Sequence, residues 1–352
     1  MQTLDIMLSL ACRFLFMLDA HLYPGDDLDG LPSESRDIEI RTILHRRDLF
    51  WICYILDKEI TFRTGRPPII NDRSCDLTFP KDYWRQVTAE VPRLPGDLRL
   101  SLIKSKAYEE LYSPHALKKS DAEILKDIRE LDDLLENWRQ SLPPEYRPTL
   151  TFSQEAHRMP KGRGLTIPSL FLRLEYHHCM TTIHRASRRC KDWPDNHRLD
   201  EGLGSSLGLA LEASRSLLSY LHFAEEVLIP NLFWYVSDSA QTSSQACSFH
   251  AYNRLVTQKL TPCFRPTRIV IFYPLSAKLT LFGNILLNPS SPTASSDLNI
   301  LSNTVEYVKG MFHRASGFSD TQLLHLKRVT EFLTELVTLA KTAILQSRQT
   351  AG

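Results

Sequence analysis

The sequence is short of most features that announce a chemistry. Its seven cysteines, at positions 12, 53, 75, 179, 190, 247 and 263, are odd in number and contain no Cys-x-x-Cys pair. That removes the usual zinc and dithiol frameworks and leaves reduced, structural thiols as the expectation. Charge of one sign is also missing: 42 Lys and Arg face 41 Asp and Glu, a net charge of +1. No long-range field therefore draws the chain to nucleic acid or to an anionic membrane. Long apolar runs are absent too. Residues 1–22 come nearest, but Asp5 precedes the run and Arg13 interrupts it, so neither a signal peptide nor a spanning helix fits, and an intracellular chain outside the membrane is expected. No P-loop, dinucleotide fingerprint, HExxH motif or EF-hand loop occurs, so no catalytic, cofactor-binding or metal residue is assigned.

What remains is a helical pattern. With 43% apolar residues over 352 positions the chain can bury a large core. Ser120 and Glu123 form a capping box ahead of the stripe Ile124, Ile128, Leu131, Leu135 and Trp138, which Pro143 and Pro144 stop. A second helix is predicted from near Pro168 through Leu170, Leu174, His177, Thr181 and His184. A third carries Leu207, Leu211, Ser214, Leu218 and Leu221, and two more stripes follow, Leu298 to Phe312 and Leu326 to Ala343. Residues 38–62 differ, because Leu49, Phe50, Trp51, Ile52, Tyr54, Ile55 and Leu56 leave almost no polar face, the mark of a helix enclosed by others. Gly65 suits the left-handed residue after such a helix, Pro67 and Pro68 prevent its continuation, and the stretch to Pro80 reads as a connector. The expected fold class is all-α, an irregular multi-helix array around a buried central helix.

The run Arg46-Arg47-Asp48-Leu49-Phe50-Trp51, then Tyr54-Ile55-Leu56-Asp57, then Gly65-Arg66-Pro67-Pro68 and the stretch from Asp72 to Pro80 resembles the signature of the fungal-specific transcription factor domain. The likeness extends through Leu131 to Pro143, Tyr176-His177, His184-Arg185 and the late block Tyr273 to Ala277, Leu281 to Leu286 and Asp297-Leu298. The resemblance implies one regulatory domain over 1–352, in the nucleus, controlling RNA polymerase II transcription by conformational coupling, with no catalysis. It implies other transcription factor subunits or coregulators as partners, and a small-molecule effector as a further candidate. Members usually carry an N-terminal six-cysteine binuclear zinc cluster; the spacing here supplies none, so zinc and DNA contact are expected only through a missing element. Two alternatives stay open: a truncated modulator that pairs with full-length factors without binding DNA, and a small-molecule sensing module.

Residues 237–268 interrupt the family-like run, and Asp238 is their only acid. A disordered insertion is expected there, read as an intron retained in frame because Val236-Ser237 can be encoded by GTAAGT and Leu260-Thr261 by CTAAC; a mobile basic loop is the other reading. Residues 347–352 are expected to be a flexible tail. Gly204-Ser205-Ser206-Leu207-Gly208 matches the GxSxG elbow formally, but the polar, proline-containing approach offers no buried strand, so it reads as a glycine-rich helix entry. His177 and His184 share a face two turns apart, wider than the four-residue spacing of a helical zinc pair, so packing and hydrogen bonding are expected for them and for His178. Arg185, Arg188, Arg189 and Lys191 suit the negative end of a helix. Arg46 and Arg47, at the head of the enclosed helix, are expected to ion-pair with Asp57 or Glu59.

Overall fold

Asp37 accepts a hydrogen bond from the Ile40 amide at 2.8 Å, and the helix it caps has no polar side for much of its length. In the computed structural model, which describes residues 2–31, 37–81, 83, 94–144, 146–151, 167–190, 197–223, 266–313 and 320–350, α1 (Gln2–Met17) and the single turn α2 (Asp26–Asp29) lead into this helix, α3 (Ile38–Thr64). Its end is fixed where Gly65 takes φ 68° and donates its N–H to the Thr61 carbonyl at 2.8 Å. A connector with one 3-10 turn (Asp72–Ser74) follows, then α4 (Leu98–Ala107), a π turn (Tyr108–Tyr112) and α5 (Asp121–Ser141). The Ser120 and Glu123 capping box is formed, and α5 buries Ile124, Ile128, Leu131, Leu135 and Trp138 as the stripe predicts. α1 and α4 pack on α3, and α5 packs on α4. The core here joins Leu8, Cys12 and Leu15 of α1 to Phe50, Trp51, Tyr54 and Ile55 of α3.

α6 (Ile167–Arg185), α7 (His197–Phe223), α8 (Pro266–Leu287), α9 (Ala294–His313) and α10 (Asp320–Thr350) follow. No strand occurs among the described residues. The single domain expected over 1–352 folds as two compact units, 1–145 and 146–352. The second unit has its own enclosed helix. α8 touches α6, α7, α9 and α10, and its Tyr273, Ala277, Leu281 and Ile285 lie in a core with Leu170, Leu174, Leu217 and Leu221. Two boundaries are corrected. Residues 266–268 open α8 rather than ending an insertion, and the rest of that segment, 237–265, lies outside the described residues. Residues 347–350, expected as a tail, continue α10, because Ser347 hydrogen-bonds Ser290 at 2.5 Å and Arg348 donates to Ser295 at 3.0 Å.

Candidate functional site

The signature residues converge on the seam between α3 and the connector. Arg47 is buried, and its guanidinium donates to four backbone carbonyls, Ala20 (3.4 Å), His21 (2.9 Å), Asp76 (2.6 Å) and Thr78 (3.1 Å). Its plane lies over the Phe50 and Trp51 rings at 4.9 and 4.8 Å. Burial pulls its pKa down to about 10, against the pull of Asp76. The expected pairing of Arg47 with Asp57 or Glu59 is therefore corrected: those carboxylates lie ten and twelve positions further along α3, at ~1.5 Å rise per residue far beyond ion-pair reach. Arg46 is half-buried and has no hydrogen bond or ion pair among the described residues.

Asp57 instead accepts the amides of Ile69 (2.8 Å) and Ile70 (3.0 Å), just past the Gly-Arg-Pro-Pro turn. Its neighbour Lys58 is wholly buried and donates to the Ile70 carbonyl at 2.5 Å, pairs with Asp72 at 2.9 Å and Asp57 at 3.5 Å, and lies 4.9 Å from the Tyr54 ring centre. Burial raises the Asp57 pKa, while Lys58 and the two amides oppose the rise. Asp57 and Lys58 thus clip the returning chain to the helix it has just left. Gly65 supplies the reversal, Pro67 and Pro68 hold the return extended, and Arg66 reaches Asp5 of α1 at 2.8 Å. Leu49 and Leu56 pack against the same core, where Trp51 meets Tyr54 and Phe79 edge-on at 5.5 and 5.9 Å. The spacing of the motif follows from this geometry: an acid in the last turns of the helix must face amides that come back only after the turn.

Sequence reasoning missed Lys58, and it also missed Asp97. Asp97 caps α4 and is almost fully enclosed, accepting from Tyr83 Oη (2.6 Å), Trp138 Nε1 (3.0 Å) and Arg99 Nη2 (2.6 Å). Although burial pushes its pKa up, these donors and the Arg99 charge hold it below the ordinary carboxylate value. Two signals were available, the Asp before a helical run and a Trp on the α5 stripe. Glu59 similarly pairs with Arg63 and with the buried Lys104 of α4.

In the second unit, His177, His178 and His184 are all buried. His184 Nδ1 lies 2.9 Å from Ser206 Oγ, and Thr181 meets Ser214 at 3.3 Å, so a hydroxyl seam joins α6 to α7. Ser206 lies inside α7, on the helix body rather than on a strand-to-helix turn, which is not the strained elbow of a nucleophile. His178 stacks edge-on with Tyr273 at 5.3 Å. Arg215 grips Asp297 of α9 through two bonds of 2.6 and 3.0 Å. Among the described residues no group of three or more His, Cys, Asp and Glu could hold a metal ion, and no helix is long and apolar enough to cross a membrane.

Buried charges that join a central helix to its own connector define an all-helical scaffold. Residues 7–140 match the fungal specific transcription factor domain, and the chain carries this regulatory domain of fungal transcription factors. It is 31% identical over 292 residues to an ABC-transporter-regulating transcription factor of Aspergillus fumigatus, covering 80% of this chain and 29% of that protein. A protein of the same description in Aspergillus oryzae is 30% identical, with 83% and 30% covered. The fusaridione A cluster transcription factor of Fusarium heterosporum is 27% identical, with 54% and 36% covered. The chain thus spans about three tenths of the length of the two Aspergillus relatives. No solved structure matches it.

Proposed function

We propose that this chain is the regulatory part of a nuclear transcription factor acting on RNA polymerase II genes, and that its target set includes genes for ABC transporters. The observation that carries the reading is the likeness to the two Aspergillus regulators, which runs through 80% and 83% of this chain. Output passes through conformational coupling between these helices and a coregulator or another transcription factor subunit, with an effector as a further input. DNA contact belongs to a zinc-binding element other than these 352 residues. The near-neutral charge supports this division, since phosphate contacts would need a basic face. No catalytic step is assigned to the chain.

The test is transcript profiling after deletion of the gene, with rescue by the full open reading frame. ABC-transporter transcripts that change on deletion and recover on rescue are expected. Unchanged transporter transcripts would overturn the target assignment. Tight binding of a DNA duplex by the purified 352-residue chain would overturn the division of labour.

A further inference from the structure

The basic cluster at the end of α6 has no acid to answer it. Past Arg185 the chain makes one 3-10 turn, Ala186–Arg189, which buries Ala186 and Ser187 and leaves Arg185 and Arg188 half-buried. Neither guanidinium has a hydrogen bond or ion pair among the described residues, and the buried Nε of Arg188 is without an acceptor. Capping does not account for them: the His184 carbonyl at the end of α6 is taken by the Ser187 hydroxyl, at 2.7 Å. The helices that meet here also carry little negative charge. α8 contains no Asp or Glu, and the one acid of α6, Glu175, lies ten positions before Arg185, about 15 Å along the helix at ~1.5 Å per residue. Burial lowers the Arg188 pKa, and the Arg185 charge lowers it further, as two cations held together in a half-desolvated place require.

Gly283 of α8 completes the seat. A Cβ built there would stand 2.9 Å from Arg188 Nη1, so the missing side chain is what lets the guanidinium lie against the helix. We propose that Arg185 and Arg188, seated on Gly283, form a binding site for a phosphate-type oxyanion, as the free ion or as the end group of a phosphomonoester. The paired guanidiniums set the class. Their planar forks match two edges of a tetrahedral oxyanion, and a phosphoryl group carries about −1.5 to −2 charges at neutral pH. That neutralises both cations, where one carboxylate would leave a cation over. The site gives the effector input of the proposed function a chemical class, and it rests on that reading for its regulatory meaning alone. Binding to the purified chain does not depend on the target genes, so the two readings fail separately.

The test is isothermal titration calorimetry of the full chain with inorganic phosphate at fixed ionic strength, beside Arg188→Gln and Gly283→Ala. All three are also unfolded in urea without phosphate. Saturable binding is expected for the wild type, weakened about tenfold or more in Arg188→Gln. A similar weakening is expected in Gly283→Ala, whose added methyl displaces the guanidinium. Stability without phosphate should be undiminished in both, since no bond recorded within the chain is lost and alanine favours a helix. An arginine that only held the fold would instead lower stability when replaced. Phenyl phosphate binding beside inorganic phosphate identifies a phosphomonoester as the ligand, and its exclusion identifies the free ion. No saturable heat with phosphate, binding that both variants retain, binding matched by chloride at equal ionic strength, or a loss of stability in Arg188→Gln overturns the proposal.

Discussion

Arg47 and Lys278 show how differently a buried cation can be treated. Arg47 meets four carbonyls and two aromatic faces. Replacing it with Met leaves buried acceptors without donors, for which about 3–5 kcal/mol of lost stability is expected in urea unfolding. Arg47→Lys is expected to recover only part of this, because one ammonium cannot span carbonyls of the α1 end and of the connector together. Recovery to wild-type stability with Lys would sink the fork argument. Lys278 is the opposite case. It lies on the face of α8 that carries Leu275 and Phe282 into an apolar cluster with Val305, Leu333 and Leu336, and it has no hydrogen bond or ion pair among the described residues. Burial lowers its pKa from 10.5 to about 7. Between those values the unfolded chain holds a proton that the folded chain has released. Stability of the second unit should therefore rise with pH from about 7 toward about 10. Lys278→Met is expected to stabilise that unit at neutral pH by at least ~1 kcal/mol and to flatten the rise. Thermal melts of the pair at neutral and alkaline pH check both, and parallel pH curves would refute the assignment.

Among the elements, α5 and the end of α3 are set by local chemistry and should respond locally. Ser120→Ala removes the half of the capping box in which the Glu123 amide donates to Ser120 Oγ, together with the hydroxyl's bond to the Glu123 carboxylate, while the Ser120 amide still donates to that carboxylate, and about 1 kcal/mol of stability should go with the loss. Gly65→Ala puts a side chain at φ 68°, with a similar expected loss of about 1–2 kcal/mol. Nothing lies within 4 Å of the added Cβ, so a much larger loss would mean that space, not backbone conformation, fixes this glycine. These two features were legible in the sequence because they are short-range: a cap three residues from its acid, a glycine before two prolines. The α5 stripe was legible because a helix in contact along one side keeps its period. α8 was not, since its neighbours lie on four helices and an all-round apolar helix loses its period. The partners of Arg47 and Asp57 were hidden for another reason. Both spend their hydrogen bonds on backbone groups, and a carbonyl or an amide carries no residue identity that sequence could flag. Lys58, next to Asp57, likewise takes its partners, the Ile70 carbonyl and Asp72, from the connector.

At the scale of the whole chain, a physical boundary and an inherited one coincide. The first compact unit ends at residue 145, and the match to the family domain ends at residue 140. A domain with its own core can fold alone when few contacts cross its boundary. The first unit has such a core, in Leu8, Cys12, Leu15, Phe50, Trp51, Tyr54 and Leu98. Its buried ions also have their partners inside 1–145: Arg47 with carbonyls of 20 to 78, Lys58 with Asp72, Glu59 with Lys104, and Asp97 with Arg99 and Trp138. None is left uncompensated by cutting the chain, which is the usual way dissection of a protein fails. Residues 1–145 expressed alone are therefore expected to be helical and to unfold in one cooperative urea transition, with the Arg47→Met penalty the same in the fragment as in the full chain. A fragment that is unstructured, or one in which the Arg47 penalty vanishes, would mean that the family domain borrows its stability from residues 146–352. An intact penalty would mean that the signature stabilises the first unit from within and leaves the second free to differ among relatives.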